Sequence, residues 1–176
     1  MTTVIAVKHP KGITFAADTQ ATGDGGDIYR VVKFQEVGPF IIGGAGDCAP
    51  LDIAIYLWKP PTPTAIDMKN LLRFVIVKVV PSLKKVFKEN GYEYNSEPSA
   101  DQSGLTLIIA IHGEIFVIEK EFDVSVPQFN VAGIGSGAAY AIGAIRTGAS
   151  VDNAMEVAAE NDVNTSAPFM YLEQSK

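Results

Sequence analysis

Apolar residues in the first quarter of the chain fall in short runs that turn residues separate, which is typical of β-strands. Residues 3–7 and 13–17 form two such runs, and Pro10 and Gly12 between them predict a hairpin. Further strands are predicted at residues 29–34 and 40–42, the latter ending at the glycines of residues 43–46. The glycine-rich stretch 19–27 predicts a loop close to a functional site.

The hydrophobic period changes to that of a helix after Asp47. Leu51, Ile55 and Trp58 recur at helical spacing and predict a first helix, which ends at the proline-rich segment 60–63. Thr64 is expected to cap a longer second helix reaching residue 90, with a kink at Pro81.

Both patterns then repeat in the second half of the chain. Residues 105–111 and 114–119 predict a hairpin, and residues 129–134 a further strand. Gly135-Ser136-Gly137 is expected to open a helix through Arg146, and Ser150 to cap another reaching Asp162. Residues 169–172 are predicted to return to the sheet.

The order of these elements is strands, two helices, strands, two helices. Each sheet therefore needs helices on one face and the other sheet on its second face. This arrangement is an α+β fold, a four-layer αββα sandwich of two antiparallel sheets between helical layers. We expect residues 1–176 to form a single domain.

Composition narrows the classes of partner. The net charge of −6 and the absence of a Lys/Arg cluster argue against nucleic acid. Hydrophobic residues are 47% and charged residues 19%, which indicates apolar surface that a partner copy would bury. One cysteine, Cys48, and two histidines leave no disulfide or zinc pattern. No apolar run has the length of a membrane span, and we expect a cytoplasmic protein without membrane contact.

Thr2 is the most informative candidate for chemistry. Removal of Met1, which is expected because the second residue is small, would leave a hydroxyl and a free amine on one residue. An α-amine with a pKa of roughly 7.7 to 8.0 can accept the hydroxyl proton near neutral pH. Thr2 is therefore a candidate nucleophile that brings its own base.

Two segments near the start and three further ones carry a family resemblance. Residues 2–7, TTVIAV, and 15–22, FAADTQAT, resemble the proteasome β-type N-terminal nucleophile (Ntn) hydrolases, most closely the bacterial HslV peptidases. Residues 42–46, IGGAG, resemble a strand end of that family, and residues 134–141, IGSGAAYA, resemble its Gly-Ser-Gly helix start. Asn161-Asp162 stands where that family has Gly-Asp. The resemblance implies the Ntn hydrolase fold and a threonine peptidase.

The resemblance also implies catalytic roles. Thr2 corresponds to the nucleophile, Asp18 to a buried aspartate and Lys33 to the lysine beside the threonine hydroxyl. The backbone N–H of Gly43 corresponds to the oxyanion-hole donor, with Gly44 as an alternative. The polar group that steadies the terminal amine corresponds to Ser136, Asp162 and Thr165.

Substrate and ion contacts follow from the same comparison. Thr22 matches a residue that pairs with the substrate backbone, and Gly44 and Ala45 belong to the same substrate-binding region. Backbone carbonyls of Asn161, Asn164 and Ala167 would hold a structural monovalent or divalent cation, although the chemistry itself requires no cofactor.

The same resemblance implies a homo-oligomeric ring that degrades unfolded polypeptides fed by a separate ATPase unfoldase. Two other functions remain open from the sequence. One is a catalytically silent ring subunit with an assembly or gating role, and the other is an Ntn amidase acting on a small amide.

Overall fold

A computed structural model describes residues 2–23, 25–92 and 104–175. Met1 and most of the polar segment 92–103 lie outside these described residues. None of the described helices is long and apolar enough to cross a membrane.

The first sheet contains the N-terminal hairpin at its centre. It has four strands in the order β10-β1-β2-β11, and every neighbouring pair is antiparallel. Its strands are β1 (Val4–His9), β2 (Gly12–Asp18), β10 (Val131–Ile134) and β11 (Phe169–Ser175). The hairpin and the return of the last strand to the sheet are confirmed.

The second sheet has five antiparallel strands in the order β5-β6-β7-β8-β9. The strands are β5 (Phe34–Val37), β6 (Phe40–Gly46), β7 (Leu105–Ile111), β8 (Glu114–Ile118) and β9 (Val124–Ser125). The predicted second hairpin is confirmed, and its turn residues His112 and Gly113 both have positive φ, as a tight two-residue turn requires.

Helices cover the outer face of each sheet. Those on the five-stranded sheet are α1 (Cys48–Asp52), which continues as a π-helical turn at Ile53–Leu57, α2 (Leu71–Phe74) and α3 (Val80–Glu89). Those on the four-stranded sheet are α4 (Ala138–Arg146) and α5 (Val151–Asn161). Ser150 caps α5 as predicted, since its hydroxyl accepts from the N–H of Asn153.

Three apolar layers hold these elements together. One lies between the helices α1 to α3 and the five-stranded sheet and includes Phe40, Phe74 and Leu83. The second lies between the two sheets and includes Phe15 and Ile108. The third lies between the four-stranded sheet and helices α4 and α5. This is the predicted αββα sandwich.

Several local predictions differ from the structure. The strand expected at residues 29–34 is split, because residues 28–30 form β4 (Ile28–Arg30), which pairs with β3 (Gln20–Thr22) in a separate ribbon. The glycines of residues 43–46 do not end β6, since Gly43 to Gly46 all pair with β7.

The start of the second long helix is also different. Thr64 bonds to Asp67 around a 3₁₀ turn, Asp67–Lys69, whereas Asn70 caps α2 by accepting from the N–H of Arg73. A π-helical turn at Val75–Val79 then separates α2 from α3 and lies directly before Pro81, whose ring nitrogen has no hydrogen to donate.

Candidate active site

Asp18 is the buried centre around which the site is built. It is the last residue of β2 and has no exposed surface. Its Oδ1 accepts from the Thr2 hydroxyl at 3.0 Å and from the N–H of Thr3 at 2.8 Å, and its Oδ2 accepts from the N–H of Gln20 at 2.9 Å. A buried carboxylate is stable only when its lone pairs are satisfied in this way.

Lys33 supplies the opposite charge. It precedes β5, and its ammonium donates to both oxygens of Asp18, at 2.8 and 2.9 Å, and to the carbonyl of Gln20 at 2.6 Å. The lysine side chain is 5% exposed. Burial lowers the pKa of Lys33 below the usual lysine value, although the hydrogen bond and the charge of Asp18 oppose this change. Lys33 therefore releases a proton more readily than a surface lysine.

Thr2 lies against this ion pair. Its hydroxyl and the Lys33 ammonium share one acceptor, Oδ1 of Asp18. The backbone of Thr2 packs closely on Gly135, where a Cβ would lie 1.9 Å from the Thr2 carbonyl oxygen. Gly135 also has a φ of +91°, a conformation that favours glycine. The strand-to-helix turn thus holds the end of the chain in place.

A second polar group joins the residue after Thr2 to α5. The Thr3 hydroxyl is 2.6 Å from the Thr165 hydroxyl, which donates to Oδ2 of Asp162 at 2.7 Å. Ser136 donates to the same oxygen at 2.7 Å. Burial acts to raise the pKa of Asp162, but the hydrogen bonds from Ser136, Thr165 and Asn164 outweigh it and hold the pKa below its usual value. Asp162 is therefore an ionised acceptor near neutral pH.

Backbone N–H groups of β6 alternate between the two neighbouring strands, and this alternation corrects the predicted oxyanion donors. The N–H of Gly44 is on the β5 side and already donates to the carbonyl of Lys33 at 2.9 Å. Gly43, one residue earlier, is directed to β7, where it pairs with Ile108. Both glycines are buried. Neither Gly43 nor Gly44 has an N–H aimed at the Thr2 hydroxyl.

Gly46 is the glycine of β6 whose backbone N–H is better placed for an oxyanion donor. It lies two residues beyond Gly44 and so has its N–H on the same side of β6, past the end of β5. The next residue, Asp47, confirms the alternation by donating to the carbonyl of Gly104. Gly46 is exposed and lines both cavities beside Thr2. A Cβ at Gly46 would lie 2.0 Å from the Gly104 oxygen.

Two cavities adjoin Thr2. The larger cavity, of about 640 Å³, lies between the ends of β8 and β10, and the smaller cavity, of about 200 Å³, lies between the β3 ribbon and α1. The larger cavity is lined by residues that include Thr106, Glu119, Ser125 and Ser136. The smaller cavity is lined by residues that include Thr22, Val31, Lys33, Cys48, Leu51 and Asp52. A chain bound across Thr2 has space on both sides.

The predicted substrate residues lie in these cavities. The exposed Thr22 and the buried Gly44 both line the smaller cavity, and Ala45 lines both cavities. The predicted ion-binding residues lie at the end of α5 and in the segment that follows it. Asn164 donates twice to Asp162 Oδ1, at 3.2 Å each, and the Asn161 amide donates to the carbonyl of Val157. Ala167 is exposed.

Two residues of the site are absent from the sequence-based predictions. Thr3 links the strand to Thr165, and the Gln20 carbonyl accepts the third hydrogen bond of the Lys33 ammonium. The Thr2-Thr3 pair and the alternation of β1 could have indicated that Thr3 faces away from Thr2. Sequence offers no signal for the Gln20 carbonyl, because a backbone acceptor is set by the path of the chain.

The arrangement can activate a hydroxyl and stabilise a negative charge close to it. Thr2 provides the hydroxyl, the Lys33–Asp18 pair provides a buried cation next to it, and Gly46, which lines both cavities, provides a backbone N–H. Among the described residues, no group of three or more His, Cys, Asp or Glu side chains is placed to hold a metal ion.

The fold is shared with known proteins at the level of structure rather than sequence. No family model and no curated protein matches the sequence. The structure of eukaryotic HslV from Trypanosoma brucei is similar with a TM-score of 0.66 at 20% identity, covering 99% of each chain. The structure of BPH from Thiobacillus denitrificans in complex with epoxomicin has a TM-score of 0.74 at 21% identity, covering 98% of each chain.

A third similar structure is a helical assembly of the Anbu complex from Pseudomonas aeruginosa. It has a TM-score of 0.68 at 13% identity and covers 98% of this chain and 81% of that chain. At these identities the similarity establishes the shared fold. The chain therefore has the fold of HslV, BPH and Anbu, as its sequence resemblance implies.

Proposed function

We propose that this protein, which has the proteasome β-type and HslV fold, is a threonine-type endopeptidase whose nucleophile is the hydroxyl of Thr2. The single observation that supports this most strongly is the acceptor shared by the Thr2 hydroxyl and the Lys33 ammonium on Asp18. Burying charge costs several kcal/mol per ion, so a buried ion pair beside the hydroxyl of a threonine with a purely structural role in a strand would be unfavourable without any benefit.

The reaction begins after Met1 is removed and the Thr2 amine is free. The Thr2 oxygen attacks the carbonyl carbon of a peptide bond, and the hydroxyl proton passes to the amine, directly or through one water. The Lys33 cation favours the alkoxide character of the attacking oxygen and lowers the pKa of the amine by like-charge repulsion. Asp18 keeps that cation in position.

The negative oxygen of the tetrahedral intermediate then bonds to the N–H of Gly46. When the intermediate collapses, the carbon–nitrogen bond breaks and the amine of Thr2 returns its proton to the leaving nitrogen. An ester on Thr2 remains. Water, deprotonated by the same amine, attacks this ester. The bond between the acyl carbon and the Thr2 oxygen then breaks, the amine returns the proton to that oxygen, and the acid product leaves. Ser136, Asp162 and Thr165 hold the amine in place during both steps.

The proposal includes an assembled particle. The Anbu structure from Pseudomonas aeruginosa is a helical assembly, which supports an oligomer for a chain of the same fold. Large apolar side chains are exposed over the helices on the five-stranded sheet: Tyr56, Leu57, Ile66, Ile76 and Val77. Burial against copies of this chain would stabilise them. We extend the proposal to a homo-oligomeric ring in the cytoplasm that receives unfolded polypeptides from a separate ATPase, with a structural cation near Asn161, Asn164 and Ala167.

The test uses protein with Thr2 as its first residue, prepared by complete removal of Met1 and verified by intact mass. An unfolded protein substrate such as reduced casein is incubated with this form and with Thr2→Ala and Thr2→Ser variants. Thr2→Ala should abolish cleavage, whereas Thr2→Ser retains a hydroxyl and should retain part of it. Epoxomicin, bound in the BPH structure, should give an adduct by mass only when Thr2 is present.

Protein that retains Met1 is the matched control, because it has the hydroxyl but no free amine. It should be inactive. Equal turnover by the wild-type protein and Thr2→Ala would refute the proposal. A folded ring with free Thr2 that cleaves neither casein nor small amides would instead identify a silent subunit.

A further inference from the structure

The smaller cavity beside Thr2 has a carboxylate at its helical wall. Leu51 and Asp52 come three and four residues after Cys48 on α1, and all three line the cavity. Residues at this spacing share one face of a helix. Asp52 is exposed and has no ion-pair partner among the described residues. Its charge is therefore free to meet a ligand.

The rest of the cavity does not neutralise this charge. Among the described residues that line it, Lys33 is the only basic one, and its ammonium is already bonded to both oxygens of Asp18 and to a backbone carbonyl. Val31, Val32 and Leu51 contribute apolar surface to the same cavity. Within the described part of the chain, the cavity thus combines apolar surface with the single carboxylate of Asp52.

This combination matches one class of side chain. Lysine and arginine have an aliphatic stem that packs on apolar surface and a cationic head that a carboxylate can bind. An acidic side chain would be repelled by Asp52. A large apolar side chain would remove water from the carboxylate without replacing its hydrogen bonds, which is unfavourable.

We propose that Asp52 makes the smaller cavity a binding site for a basic side chain, so that the peptidase prefers substrates with lysine or arginine next to the cleaved bond. This inference rests on the proposed function of Thr2 and names the substrate class of the same site. Asp52 is a specificity residue here, and no proton transfer is assigned to it.

The larger cavity provides a charge-matched control. Glu119 lines that cavity on the other side of Thr2, and its carboxylate accepts a hydrogen bond from Thr106 at 3.4 Å. Changing Glu119 to Gln removes the same charge from the protein as changing Asp52 to Asn, in the other cavity that Thr2 lines. A general attraction of basic chains to an acidic protein would be weakened by both variants, whereas a contact in the smaller cavity would be weakened only by Asp52→Asn.

The experiment profiles cleavage sites by mass spectrometry, because this readout reports the residues on both sides of each cut. Wild-type protein with free Thr2, Asp52→Asn, Asp52→Lys and Glu119→Gln are each incubated with a random peptide mixture, and cuts that persist with Thr2→Ala are subtracted. We expect lysine and arginine to be enriched at one position next to the cut. Asp52→Asn should reduce this preference roughly five- to fifty-fold, the range for losing a partly exposed charged contact.

Asp52→Lys should move the preference at that position towards aspartate and glutamate, and Glu119→Gln should leave it unchanged. Thr2-dependent cleavage without a preference for basic residues would overturn the inference and leave the peptidase intact. An equal loss in Glu119→Gln at the same position would overturn the assignment to the smaller cavity. Absence of any Thr2-dependent cleavage would refute the proposed function, and the substrate preference with it.

Discussion

Replacing Lys33 by methionine tests the buried ion pair most directly. Methionine keeps the length of the side chain but removes the ammonium, which makes three hydrogen bonds, two to Asp18 and one to Gln20. Asp18 would then remain a fully buried carboxylate with only neutral donors: the Thr2 hydroxyl and the N–H groups of Thr3 and Gln20.

The magnitude follows from this environment. Removing one partner of a buried pair costs about 3 to 5 kcal/mol, because the other charge is left uncompensated. The three remaining donors satisfy part of the carboxylate, so the expected loss for Lys33→Met is near the lower end, about 3 kcal/mol. Asp18→Asn should cost a similar amount, since it leaves the ammonium buried and turns an amide N–H₂ towards donors.

The double variant Asp18→Asn/Lys33→Met removes both charges and isolates their interaction. We expect it to cost less than the two single variants added together, by roughly 2 to 3 kcal/mol. Urea unfolding followed by the fluorescence of Trp58 measures all four free energies of unfolding, because Trp58 is the only tryptophan and is buried. A surface lysine, Lys88, changed to Met is the control and should alter stability by less than about 0.5 kcal/mol.

Two results would refute this reasoning. One is a cost below about 1 kcal/mol for Lys33→Met, which would mean that the ammonium is effectively solvated. The other is strict additivity of the two single variants, which would mean that Lys33 and Asp18 do not interact in the folded protein.

Three further perturbations address pH and the glycines. Burial lowers the pKa of Lys33, so the unfolded chain binds more protons than the folded protein between that lowered pKa and the usual lysine value of 10.5. The free energy of unfolding should therefore rise with pH across this window. Urea unfolding at several pH values should show the rise in the wild-type protein and not in Lys33→Met. Gly46→Ala should lower kcat for peptide cleavage by about a hundred-fold or more, since a Cβ only 2.0 Å from a main-chain oxygen must displace the proposed oxyanion donor. An unchanged kcat in a folded variant would exclude the Gly46 N–H as that donor. Gly135→Ala should destabilise the protein by roughly 1 to 3 kcal/mol, because a Cβ there meets Thr2 and the residue has a positive φ. Gly143→Ala, in helix α4 with open space around it, should stabilise the protein by roughly 0.5 to 1 kcal/mol. Thermal or urea unfolding distinguishes the two.

Local sequence determined the parts of this protein that depend on neighbours along the chain. The hairpin between β1 and β2 follows from two apolar runs around Pro10 and Gly12, and the start of α5 follows from Ser150, whose hydroxyl meets an N–H three residues later. Helical spacing likewise indicated α1 and the π-helical turn that continues it, through Leu51 and Ile55. Each of these features is decided within a few residues, so a pattern can predict it.

The long segments between these features were less predictable. Thr64 and Asn70 are both good capping residues, and only the position of Asp67 and Lys78 in space favours a 3₁₀ turn at the first and α2 at the second. Glycine disfavours a strand by its local preference, so the glycines of residues 43–46 were predicted to end β6. Pairing with β7 nevertheless keeps them in the strand.

The candidate site shows the same division. The position of Thr2 after Met1 indicated the nucleophile, and the family resemblance indicated Asp18 and Lys33 from their residue types and spacing. Tertiary structure decided what these residues do to one another: Asp18 lies fully buried at the end of β2, and Lys33 reaches it from the segment before β5. The choice of Gly46 over Gly43 depends on strand register, since a shift of one residue turns a backbone N–H to the opposite neighbour. Register is set by how two sheets pack, and no short stretch of sequence contains that information.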